Sequence, residues 1–244
     1  MNDAPAAAHC PSCGQPMAAD HGYCSACGQR KVRGRLTMHD IGHDLVHAVT
    51  HADHSIFSLV GHLAAHPGRV AREYADGRRK KYFGPFAFLF ISVGLASFVI
   101  LVSGVRWFAP IDDVSAASFL QRHINLIILM QAPILAGLCR LFFQASGRNY
   151  AENLVLAAYT SGFRCVLLAF VGTPLMYYAV TASRAVMVGY YLVWVVYFSY
   201  AAVQFFGGRS WWTACKAATA TVLTQLIAVY LVFAFIWTWA RIAH

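Results

Sequence analysis

The stretch RVAREYADGRRKKYFGPF, residues 69–86, decides how this chain is read. It carries Arg69, Arg72, Arg78, Arg79, Lys80 and Lys81, then turns into an apolar run that continues to Val105. A dense basic cluster directly before a run of that length marks a membrane entry point held on the cytoplasmic side. What precedes it is expected to be cytosolic, and nearly all that follows to lie in the bilayer.

Composition points the same way. The 244 residues are 59% hydrophobic and 12% charged, with a mean hydropathy of +0.53. Soluble domains run about 45–50% apolar and about 25% charged. The net charge of +9 is not a nucleic-acid signature, because residues 1–83 hold 10 Lys/Arg against 7 Asp/Glu. The basic residues gather at predicted membrane boundaries, where each contributes roughly 1 kcal/mol of attraction to an anionic leaflet. Anionic lipid is thus an expected partner and nucleic acid is not. The first 80 residues contain no continuous apolar segment, so no secretory signal is expected.

Upstream of the basic cluster, residues 9–28 read HCPSCGQPMAADHGYCSACG. Cys10, Cys13, Cys24 and Cys27 form a C-x2-C-x10-C-x2-C pattern, each pair followed by a glycine that permits a tight turn. Four thiolates at this spacing close a tetrahedral shell and leave no open position for a substrate. So short a segment buries too little apolar surface to fold alone, and a structural zinc would supply the folding energy. Rubredoxin-like iron and disulfides are the competing readings. The ribbon would act as a stabilising knob or as a docking module for an unidentified protein. A helix is expected from Thr37 to Thr50, with His39, His43, His47 and His51 along one face. Of these, His43, His47 and His51 are candidates for a second metal, set against a plain polar face and a pH-sensitive one. Two further helices are expected at 55–65 and 69–75, broken at His66-Pro67-Gly68 and lying on the membrane surface.

Downstream, apolar spans are expected at about 83–105, 124–143, 153–171, 186–206 and 214–239. With the N-terminus inside, fourteen Lys/Arg fall on the cytoplasmic side and four outside, placing the C-terminus outside. A four-span chain with one interfacial segment is the alternative count. The fold class is therefore an all-α polytopic membrane protein of about five transmembrane helices. It divides into a tail and zinc ribbon (1–30), a basic linker with amphipathic interfacial helices (31–82) and a transmembrane domain (83–244). Arg164 is the one basic residue deep inside a span and must face protein or water. Asn125, Gln131, Gln225 and a lipid phosphate are its candidate partners. It is read either as a hydrogen-bond anchor or as a headgroup or anion site.

The order CxxCG…CxxCG, a His-rich helix and then HPGRVAREYADGRRKKYFGPFAF resembles DUF3667, a family of uncharacterised bacterial membrane proteins. The residues that carry the resemblance are Pro67, Gly68, Tyr74, Gly77, Arg79, Tyr82 and Pro85, with a weaker match at Tyr150-Ala151-Glu152-Asn153 opening the third span. The resemblance implies a zinc ribbon, several spans and a bacterial inner membrane, and no reaction. No paired acids or nucleophile–base set lies in the spans, so no catalytic residue is assigned. The leading expectation is a non-enzymatic scaffold or adaptor that docks a partner through the ribbon and lipid through the basic collar of Arg69, Arg72, Arg78, Arg79, Lys80 and Lys81. The alternatives are a lipid or small-solute handling protein using Arg164 and that collar, or a His-based metal or pH sensor.

Overall fold

The structure, a computed structural model, describes residues 8–17, 22–29, 34–38, 55–107, 118, 120–121 and 123–242. The histidine stripe 39–51 lies outside the described residues. A two-residue hairpin, β1 (Ala8–His9) against β2 (Pro16–Met17), opens the chain. Two short helices follow, α1 (Ser55–Ala65) and α2 (Pro67–Ala75), at the places the His-Pro-Gly break dictates. Pro67 sits in the first turn of α2, where its missing N–H has no intrahelical partner to lose.

Five helices are long and apolar enough to cross a membrane, as expected. They are α3 (Pro85–Ser103), α4 (Ile124–Phe142), α5 (Tyr150–Leu167) with its continuation α6 (Thr173–Tyr178), α7 (Ser183–Phe206) and α8 (Ser210–Ile242). The third span runs Tyr150–Tyr178, longer than the expected 153–171 at both ends. At its start a capping box sets the first turn. The Asn149 side chain accepts from the Glu152 amide at 2.9 Å, and Glu152 Oε2 accepts from the Asn149 amide at 2.9 Å. At its end, Pro174 does not break the rod. A π-helical turn at Leu168–Gly172 absorbs the change, and Thr173 Oγ1 donates to the Leu168 carbonyl at 2.8 Å.

The helix α5 is the axis of the bundle. Every residue from Ala151 to Cys165 is buried, and α2, α3, α4 and α7 all pack on it. Small residues let those neighbours come close. A Cβ on Gly162 would stand 2.6 Å from the Phe88 ring, so α3 and α5 touch where Gly162 has no side chain. Tyr159 ties three elements together, donating to the Phe83 carbonyl at 2.7 Å and meeting Tyr74 edge-on at 5.8 Å. Neither α1 nor α2 lies loose on a surface. Leu59 and Leu63 of α1 enter the main core, and Tyr197 and Tyr200 of α7 donate to the Leu63 and Ala65 carbonyls. The N-terminus of α2 is pressed on α7, where a Cβ on Gly68 would stand 1.9 Å from the Ala201 carbonyl oxygen.

Candidate functional site

The four ribbon cysteines come from two copies of one knuckle. The Cys10 amide donates to the Gln15 carbonyl and the Gly14 amide to the Cys10 carbonyl; Cys24, Gln29 and Gly28 repeat the pattern. Gly14 and Gly28 take the positive φ values, 76° and 69°, that this turn requires. The result brings four free thiols together, with all sulfurs within 4.8 Å of one another and the Cys10–Cys27 and Cys13–Cys24 pairs each 3.6 Å apart. A tetrahedral ion with bonds of about 2.3 Å holds its sulfurs about 3.8 Å apart, close to the spacing of this set, which could therefore hold a metal ion after small shifts. The amides of Cys27 and Ala26 lower the Cys24 thiol to about 7, whereas at Cys27 the pull of the Gln29 amide is outweighed by burial and the neighbouring sulfurs, which push it up to about 12.

The ribbon is seated on the bundle rather than tethered to it. Gln29 is buried, and its Oε1 accepts from Ser12 Oγ in the first knuckle and from the Lys80 amide, both at 2.9 Å. A few residues on, Arg35 grips Glu152 at 3.1 and 2.6 Å and the Gly147 carbonyl at 2.6 Å. Leu36 enters the main core, and its carbonyl accepts from Asn149 Nδ2 at 2.8 Å.

The six collar residues do not form one uniform patch. Glu73 is their hub: Arg69 Nε (3.1 Å), Lys81 Nζ (2.7 Å) and Tyr82 Oη (2.9 Å) all donate to it, with Arg78 at 3.7 Å. Burial alone would raise the Glu73 pKa, but the hydrogen bonds from Lys81, Tyr82 and Arg69 overcome it and hold the value at about 2. Arg72 turns inward and donates twice to the Phe205 carbonyl, at 2.8 and 2.6 Å, closing the C-terminal end of α7. Arg79 is half-buried, whereas Arg69, Arg78, Lys80 and Lys81 keep exposed side chains.

Arg164 is 7% exposed and faces a cavity of about 410 Å³ between α4, α5, α7 and α8. Its Nη2 donates to Gln131 Oε1 at 2.8 Å, and Gln131 Nε2 donates on to Gln225 Oε1 at 3.2 Å. Of the three expected side-chain partners, Gln131 bonds Arg164 directly and Gln225 is reached only through Gln131, while Asn125 accepts from Ser97 instead. The guanidinium lies over the Trp194 ring, 4.8 Å from its centroid. Among the described residues its Nε is buried with no hydrogen-bond partner. Among the described residues no carboxylate lines the cavity, and Arg164 is its one charged side chain. A lone charge at such depth costs about 2.5 kcal/mol or more, and a buried unpaired N–H adds about 1–3 kcal/mol.

Several of these contacts escaped the reading of the sequence. Glu73 four residues after Arg69 was a legible helix pair, but the reach of Lys81 and Tyr82 back to it needs the fold. Nothing in the sequence links Arg35 to Glu152 or places Trp194 under Arg164.

These features define the class: an all-α membrane protein of five apolar helices carrying a four-cysteine metal-binding ribbon on one end. Residues 53–96 match the family model DUF3667, described as a protein of unknown function, which supports the resemblance over α1, α2, the collar and the first half of α3. No curated protein and no solved structure matches the chain.

Proposed function

We propose that this protein handles an acidic lipid or a small acidic solute within the membrane, holding it at Arg164. The observation that carries this reading is the buried guanidinium, which lines an apolar cavity that holds no carboxylate among the described residues and whose own Nε–H is left unpartnered there. Intramembrane ionisable groups are retained where function needs them, and here the missing counter-charge is supplied by a ligand. Zinc is the metal assigned to the ribbon, because four thiolates in a closed tetrahedron suit a structural zinc. Its role is to stiffen a cytoplasmic cap that keeps the exposed members of the collar, Arg69, Arg78, Lys80 and Lys81, against an anionic leaflet. The N-terminus is inside and the C-terminus outside in this reading.

Native mass spectrometry of the detergent-purified chain tests it in one spectrum. One zinc and one anionic ligand are expected on the wild type. Arg164→Leu should keep the zinc and lose the ligand. Equal retention of an anionic ligand by both proteins would remove Arg164 from the function. A partner-docking role for the ribbon keeps some support, because Tyr23 is 61% exposed on a ribbon otherwise fixed in place.

A further inference from the structure

Resting on that reading, we infer that the ligand is a single-chain amphiphile with one compact monoanionic head, a carboxylate. Its head pairs with Arg164, and its hydrocarbon chain enters sideways from the bilayer between α7 and α8.

Charge sets the head. One guanidinium balances one negative charge, and no second cation lines the cavity among the described residues. Donor geometry sets its shape. The hydroxyls of Tyr190 and Tyr191 are already donating to the Arg164 and Thr221 carbonyls, each at 3.1 Å. The relay from Arg164 through Gln131 ends in the Gln225 carboxamide, whose N–H groups it does not consume. The Arg164 guanidinium spends one of its five N–H groups on Gln131, and the Gln225 amide lines the same wall. A planar guanidinium edge fits the two oxygens of a carboxylate.

Depth argues the same way. Arg164 lies midway between Tyr150 and Tyr178, so about 21 Å of helix separates it from either end of the span. That is the middle of a hydrocarbon core about 30 Å thick. A phosphodiester must reach it charged. A carboxylic acid can cross protonated and neutral, and a neighbouring guanidinium favours its ionised form on arrival.

The walls set the body. Ile124, Ile128, Leu192, Val229 and Val232 surround the space, whose volume falls within the usual range for small-molecule sites. Leu192 and Val229 are also exposed on the outside of α7 and α8, so the cavity reaches the lipid-facing surface. A chain can slide in there without passing through water.

The test uses the full-length protein, stripped of lipid in detergent and then offered oleic acid, oleyl alcohol or dioleoyl phosphatidylglycerol under native mass spectrometry. One oleate should be retained, oleyl alcohol should not, and phosphatidylglycerol should not displace the oleate. Arg164→Gln should weaken oleate about tenfold or more, as loss of a charge-assisted hydrogen bond implies. Val229→Trp, which fills the cavity and leaves Arg164 in place, should lose oleate as well and guards against misfolding of the first variant. Oleate retained equally by both variants, or oleyl alcohol held as well as oleate, overturns the inference. If phosphatidylglycerol binds instead, in an Arg164-dependent way, the carboxylate class is wrong while the acidic-ligand function stands. If no anion depends on Arg164, both fall.

Discussion

Glu73 shows how one buried acid organises a positive cluster. Its folded pKa of about 2 lies below the ordinary glutamate value of about 4.3. A depressed carboxylate contributes stability that is fully present above the unfolded pKa and lost as pH falls through the folded one. The upper bound is about 3 kcal/mol, reduced because Arg69, Arg78 and Lys81 are exposed and screened. Melting of the detergent-solubilised protein should therefore be flat in its Glu73 contribution from pH 8 to 5 and decline between pH 4 and 2. Glu73→Gln should lower the plateau and flatten that decline, and an unchanged pH profile would show that the hub does not stabilise the collar. At this scale the sequence was informative wherever chemistry is local. The Cys spacing announced a metal set, and a lone Arg164 amid apolar residues announced a charge facing protein or water, with Gln131 among its candidate partners. It was silent on pairs that only the fold brings together, such as Arg72 with the Phe205 carbonyl, since these lie 133 residues apart.

Among the elements, α5 determines the rest. Apolar runs pointed to about five spans with four as the alternative count, but their ends depended on hydrogen bonds that hydropathy does not see. The Asn149–Glu152 capping box moved the start of the third span back to Tyr150, and the π-helical turn carried the rod through Pro174. Trp107 braces that turn by donating to Thr173 Oγ1 at 3.3 Å and lies 5.4 Å from the Tyr190 ring. A helix buried on all sides tolerates little added volume. Gly162→Ala would push a methyl group to within 2.6 Å of Phe88 and 3.3 Å of the Leu89 Cα. Overpacking of this kind costs about 1–3 kcal/mol. Thermal unfolding should shift downward by several degrees, and no shift would mean that α3 can slide on α5.

Across the whole molecule, the ribbon, the collar and the loops before α5 and α8 meet at one end. Arg148 pairs with Asp76 at 2.6 Å, Lys216 donates to the Phe142 carbonyl at 3.1 Å, and Gln29 holds the Lys80 amide. Stripping the metal with a strong chelator should unfold the ribbon and release that amide. Hydrogen exchange in a peptide covering 78–83 should then accelerate, while α3 to α8 keep their protection. Unchanged exchange at Lys80 would show that the seat survives without the metal. The clamp between Arg35 and Glu152 also orders events during synthesis, because 117 residues separate them. At about 5–20 residues per second, the ribosome needs roughly 6–23 s to travel from one to the other. The knuckles can capture their ion as soon as they emerge, but their resting place does not exist until the third span is in the bilayer. The first part to fold is then among the last to be positioned, and it closes like a clasp on a finished bundle.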